Sequence, residues 1–332
     1  MPSRPPPLDE FGLIARYLAP LATHPGADGL RDDVAILAAG SFAGDLVITT
    51  DAIVAGVHFL ADERPAMVAE RALRTNLSDL AAKGAKPLGY QLTLALNPAQ
   101  DESWIAGFCE GLQANQAAFD WSLLGGDTVR TPGPTTVSVT AIGTTPAGSA
   151  RRRGGGQPGD DISVTGWIGD GALGLAIAQG QAPAVPKALA NAAEAKFRWP
   201  EPRVAFGQAL AASGHATATA DVSDGLVADL GHIADASGLG AIIQAAAVPL
   251  SEAGHAAIAI DPEWLVRMLT GGDDYEIVFT AKPEAARTIE RIAAQTKTAV
   301  TRIGYLRAEP GVEVQDPDGQ PLALERGGYS HF

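Results

Sequence analysis

The stretch PAGSARRRGGGQPGD, residues 146–160, decides how the rest of this 332-residue sequence is read. Glycine, proline and charge crowd it and no apolar periodicity runs through it, which reads as a domain boundary and a mobile connection. Dividing the chain there gives an N-terminal α+β domain over residues 1–147 and a C-terminal α/β domain over 148–332. With 46% hydrophobic residues the chain can bury the cores that two domains require.

Working back from the boundary, LLGGDTVR (123–130) and TTVSVTAIGT (135–144) read as strands around a glycine turn, ESWIAGFCEGLQANQAAF (102–119) as a helix and QLTLALN (91–97) as a strand. PAMVAERALRTNLSDLAAKG (65–84) keeps helical spacing from a first-turn proline to a terminal glycine. LVITTDAIV (46–54) is a β-branched strand with Asp51 expected at or just past its end, LRDDVAIL (30–37) a loop entering a strand, and residues 7–21 a short amphipathic helix. Working forward, DISVTGWIG (161–169) is a strand running through glycines into the helix GALGLAIAQG (171–180). Helices follow near 202–214 and over 225–238, with strands at 217–223, 276–281, 298–306 and 311–316.

Composition removes several classes of function. A single cysteine, Cys109, excludes an intramolecular disulfide and any multi-cysteine metal site, and fits a reducing cytoplasm. The N-terminus MPSRPPPLDE lacks the apolar core of a signal peptide and no run of about 18 apolar residues occurs, so a soluble, cytoplasmic protein without a membrane partner is expected. The 38 acidic and 24 basic residues leave a formal charge of −14, which argues against a nucleic-acid partner.

Aspartates recur beside glycines and at the ends of elements: Asp32 and Asp33, Asp51, Asp79, Asp127, Asp221 and Asp224, Asp273 and Asp274. Each alone has a structural reading. Asp32, Asp33 and Asp127 suit turns, Asp51 a strand end, Asp79 a helical pairing with Lys83, and Asp224 the N-cap of the next helix. Together, with Thr49, Thr50, Ser78 and Ser223 beside them, they form an oxygen-only ligand set of the kind hard cations prefer, and their number implies more than one Mg²⁺. Glycines at 125–126, 154–156, 169, 171 and 271–272 permit the close backbone approach that phosphates need. Neither a P-loop nor a protein-kinase signature is present.

LRDDVAIL, TTDAIVAGVHF, NLSDLAAKGAKP, LLGGDTVR, DVSDGLVADLGHIA, GGDDYEIVF and the final GGYSHF resemble, in order, the motifs of thiamine-monophosphate kinases within the aminoimidazole-ribonucleotide synthetase-like superfamily. The resemblance runs from about residue 9 to the C-terminus. It implies that superfamily's two-domain fold, a homodimer, ATP as co-substrate and several Mg²⁺ ions. Asp33, Thr49, Thr50, Asp51, Asp79, Asp127, Asp221 and Asp224 match its magnesium positions. Gly126, Asp127, Arg153 and Ser223 match ATP positions, and His58, Asp273 and Tyr329 match positions that touch thiamine monophosphate. Arg31 stands where the family usually has glycine, and Asp273 where glutamate is expected in Gly-Gly-Glu-Asp-Tyr.

The implied reaction makes thiamine diphosphate by direct in-line transfer to the substrate's phosphate. A phosphate monoester, with a second pKa of about 6, is already largely ionised near neutrality, so no catalytic general base is expected. Other ATP-using members of the superfamily, such as an aminoimidazole-ribonucleotide synthetase, and a non-catalytic acidic metal-binding module are the competing readings.

Overall fold

The computed structural model describes residues 10–324 and residue 328. The chain divides into two compact units, one of residues up to 80 with 87–144, the other of 81–86 with 145–332. The short 81–86 segment joins the second unit because Gly207 lets a helix lie on it: a Cβ at Gly207 would stand 1.9 Å from the Ala81 carbonyl oxygen.

The first unit is a four-stranded sheet with two long helices. Its strands are β1 (Asp45–Val54), β2 (Lys86–Leu96), β3 (Ser122–Arg130) and β4 (Thr136–Thr145), in the order β1-β4-β2-β3. After the short N-terminal helix α1 (Glu10–Leu13) come α2 (Pro65–Ala82) and α3 (Glu102–Phe119). β2 and β3 are parallel, and parallel neighbours need a crossover, which α3 supplies. That helix starts where the Asp101 carboxylate accepts the Trp104 N–H at 3.1 Å. It buries Ile105, Phe108, Cys109 and Leu112. Burial pushes the Cys109 thiol up to about 12, so it is inert packing material.

A buried polar chain fixes the helices to each other and to Trp121, the residue before β3. The Glu70 carboxylate accepts Arg74 at 2.7 Å and Asn115 at 2.9 Å, and the Asn115 carbonyl accepts the Trp121 indole N–H at 3.0 Å. Each buried group is answered by another, which offsets the cost of removing them from water.

The second unit holds a six-stranded mixed sheet. β5 (Asp161–Thr165), β6 (Ala216–Val222), β7 (Gly240–Gln244), β8 (Glu276–Ala281), β9 (Val300–Arg307) and β10 (Gly311–Gln315) lie in the order β10-β7-β9-β5-β8-β6. Only β10 and β7 run parallel. The helices are α4 (Asp170–Ala178), α5 (Lys187–Arg198), α6 (Val204–Ser213), α7 (Leu226–Ser237), α8 (Glu252–Ile260), α9 (Trp264–Thr270) and α10 (Ala286–Thr296). β8 is buried at all six positions, as a strand covered on both faces must be. Phe279 meets Phe206 of α6 with ring centroids 5.7 Å apart.

Three expectations are corrected. LRDDVAIL enters no strand, because the Ile36 N–H is taken by the Gly26 carbonyl at 2.8 Å and the segment stays irregular. Asp51 lies three residues inside β1 rather than at its end. The arginine-glycine run is not a mobile connection, since residues 151–156 are bonded along the second unit. The Arg151 guanidinium donates to the Ala211 and Ala216 carbonyls at 3.0 and 3.1 Å. The Arg152 carbonyl accepts from Thr219, and the Gly156 N–H donates to the Ser237 hydroxyl. Its glycines allow that close approach: a Cβ at Gly155, whose φ is +127°, would lie 2.7 Å from the Thr217 carbonyl oxygen.

Candidate active site

In the first unit, alternation along β1 puts Thr49 and Asp51 on one face and Thr50 on the other. The Thr49 hydroxyl donates to Asp79 Oδ2 at 2.5 Å, and the Asp51 N–H donates to the Asn76 side chain at 3.1 Å. Asn76 and Asp79 are one turn apart on α2, so Thr49, Asp51 and Asp79 share one strip between strand and helix. Thr50 instead donates to the Val139 carbonyl at 2.9 Å, away from that strip. Asp33 is exposed in the irregular segment before β1. Asp127 is exposed within β3, opposite Thr93. β4 and β2 separate its strand from β1, so one copy of this unit does not bring Asp127 beside Asp51.

Both Asp51 and Asp127 therefore sit inside strands, where aspartate is disfavoured, and neither is the turn or terminator that a structural reading requires. Gly126 has a backbone reason of its own, since a Cβ there would stand 1.9 Å from the Leu92 carbonyl oxygen. The His58 ring accepts the Val54 N–H on Nδ1 at 3.1 Å while the His58 backbone N–H donates to the Val54 carbonyl. This places the ring's proton on Nε2 and locks the turn after β1. Arg31, the departure from glycine, pairs with Asp28 through both its Nε and Nη2.

In the second unit, Asp221 is buried in β6, and Ser223 and Asp224 follow it in the turn before α7. Asp224 does not cap that helix; Gly225 holds the cap position at φ 118° without any side-chain bond. The turn is organised by Asp229, whose Oδ2 accepts the Ser223 and Asp224 N–H groups at 3.0 Å each. Burial pushes the Asp229 carboxyl up to about 7, with those two donors pulling the other way. Arg153 is exposed, and its charge reaches Asp229.

Asp273 lines a small polar depression with Trp167, Asp170, Gly171, Lys196, Asp274 and Glu276. Its backbone is left-handed at φ 74°, as is Tyr275 at φ 52°, and such residues persist only where neighbours hold them. The Asp273 N–H is held by the Ser223 carbonyl and the Tyr275 N–H by the Val222 carbonyl, at 2.9 and 2.8 Å. Between them Asp274 accepts the Gly169 and Gly171 N–H groups at the start of α4, at 2.7 and 3.0 Å. Behind the depression Arg203 grips Glu276 with two bonds of 2.7 and 2.6 Å. Tyr329 lies outside the described residues.

Family models for AIR synthase related proteins match the chain twice, the N-terminal domain over residues 31–145 and the C-terminal domain over 157–317. The thiamine-monophosphate kinase of Caulobacter vibrioides is 43% identical over 99% of this chain and 92% of its own length. The chain belongs to the thiamine-monophosphate kinase family. The crystal structure of the family member from Stenotrophomonas maltophilia superposes with a TM-score of 0.79 at 39% identity, covering 88% of this chain and 91% of that one. A structure described as AaThiL complexed with AMPPCP and TMP gives 0.77 at 27% identity, covering 97% of both chains.

Sequence reading named Asp274 among its aspartates without a role and missed Asp229, Trp167, Lys196 and Glu276. Asp229 and Asp274 both stood within quoted family motifs, yet only the folded backbone shows which amides they hold. For Asp274 the account yields a stability prediction. Asp274→Ala leaves two backbone donors of α4 unanswered and is expected to cost about 2–4 kcal/mol, with Asp274→Asn recovering part of it. Burial raises this carboxyl well above the usual aspartate range. Its contribution is thus full below the unfolded value of about 3.9 and declines as pH rises through the folded value. Urea unfolding of the three proteins across pH checks this. An Ala variant as stable as wild type, or a gap that widens with pH, contradicts it.

Proposed function

We propose that this chain transfers the γ-phosphoryl group of ATP to the phosphate of thiamine monophosphate, giving thiamine diphosphate and ADP. The near full-length identity to thiamine-monophosphate kinases carries the reading. AaThiL bound to AMPPCP, an ATP analogue, and TMP supports both substrates. Trp167, 48% exposed beside Asp273, offers an aromatic surface for a cationic heteroaromatic ring, with carboxylates to balance the charge.

The donors available are carboxylate and hydroxyl oxygens, which suits Mg²⁺. Asp33, Thr49, Asp51, Asp79 and Asp127 would hold such ions in the first unit, and Asp221 and Asp224 would do so in the second. Bound there, Mg²⁺ supplies neutralisation of the phosphate charges that otherwise keep two polyanions apart. The chain's own residues supply position. Thr49 orients the Asp79 carboxylate, the Ser223 backbone holds Asp273 in place, and Arg153, exposed on the second unit, offers a positive charge to a phosphate.

The experiment is incubation of the purified protein with ATP, Mg²⁺ and thiamine monophosphate. Thiamine diphosphate and ADP are expected in equal amounts, EDTA stops turnover, and Asp79→Asn lowers kcat by about 10²-fold or more with the fold intact. ADP released without thiamine diphosphate, or full activity in Asp79→Asn, contradicts the reading.

We also propose a homodimer through the first unit. β1 and β3 are the edges of its sheet, and Leu46, Ile48 and Val129 on them are exposed. Long edge strands with apolar side chains call for cover, and a second copy would let Asp127 meet carboxylates that its own sheet holds apart from it. Light scattering is expected to give twice the chain mass, and a fully active monomer contradicts the proposal.

A further inference from the structure

Asp224, Asp229 and His232 form a cluster whose composition differs from the oxygen-only set. Each offers one ligand atom, and these atoms lie within 4.8 Å of one another. Asp229 and His232 stand three residues apart on α7, which puts them on one face, and Asp224 precedes that helix in the turn Asp229 organises. Neither Asp229 nor His232 is among the positions that the resemblance carries over to magnesium.

A second observation points to a ligand. Asp229 has no exposed surface, and its Oδ2 is satisfied by two backbone amides. Its Oδ1 is equally buried and has no hydrogen-bond partner among the described residues. A buried carboxylate oxygen left this way costs about 1–3 kcal/mol or more. The charge of Arg153 reaches Asp229 but leaves Oδ1 without a hydrogen bond. The start of a helix also disfavours a cation, so a site here needs both carboxylates to outweigh the dipole, and both are present.

We propose that Asp224, Asp229 and His232 bind a transition-metal dication of the Mn²⁺, Co²⁺ and Zn²⁺ class in preference to Mg²⁺. Two carboxylate oxygens and an imidazole nitrogen are the donor set that such ions accept, whereas Mg²⁺ favours oxygen alone. Ligands about 2.1 Å from one ion stand at most about 4.2 Å apart. The cluster therefore closes by about half an ångström, and the His232 side chain, exposed on its helix, is free to rotate by that much.

Mn²⁺ is the probe, read by the loss of its free-ion paramagnetic resonance signal on binding to the full chain. Mg²⁺ in large excess is present to fill oxygen-only sites, and neither ATP nor thiamine monophosphate is added. About one Mn²⁺ per chain is expected to remain bound, and His232→Ala is expected to weaken it at least tenfold while its melting temperature without metal stays at the wild-type value. Asp229→Asn is expected to weaken it as well. Displacement of all Mn²⁺ by Mg²⁺, or unchanged binding in His232→Ala, overturns the site. Because the readout needs no turnover, its failure and a failure of the kinase reading are separate results.

Discussion

A carboxylate fixed inside a β-strand carries charge that the strand itself cannot neutralise, and that constraint shapes both units. Asp51 and Asp127 are strand residues in the first and Asp221 in the second. Strand geometry holds these groups where unlike side chains would pack better. Carboxylates on the neighbouring helices are held by local donors: Thr49 donates to Asp79 of α2, and two backbone amides donate to Asp229 of α7. Hydroxyls and amides orient negative charge without cancelling it.

Rigid backbone makes that arrangement possible. Gly126 on Leu92 and Gly272 on Ser223 are approaches that a Cβ would close to 1.9 and 2.1 Å, so the backbone at both places is set by main-chain fit. The segment from Gly271 to Tyr275 then ties the Val222–Ser223 turn to the start of α4, through the amides of Asp273 and Tyr275 and the carboxylate of Asp274. One five-residue turn thus fixes Asp273 and the turn that carries Asp224. Substituting a ligand carboxylate changes charge while leaving this backbone scaffold in place, which is why loss of activity and loss of fold should separate.

Much of this was legible in the sequence. Long periodic segments announced α2 and α3, and the β-branched runs announced β1 and β4, because their patterns extend over many residues. The short elements were not legible: β7 is only GAIIQ, and α5 follows a proline-bearing stretch that reads as loop. The run at 151–156 misled because composition reports flexibility and not partners. Only the fold shows that Arg151 finds two carbonyls there. The surroundings of Asp273 were half visible, since Asp273 belonged to a motif while Trp167, Lys196 and Glu276 come to it from separate parts of the chain.

The central claim is that the first unit's carboxylates are a preorganised cation site held against mutual repulsion. It is tested most directly by melting wild type and Asp79→Asn at constant ionic strength with and without millimolar Mg²⁺. An ion that binds only the folded state raises its melting temperature. The account predicts a Mg²⁺-dependent rise for wild type, and for Asp79→Asn a higher starting point with a much smaller rise. Equal responses in the two proteins, or no response in either, would contradict it.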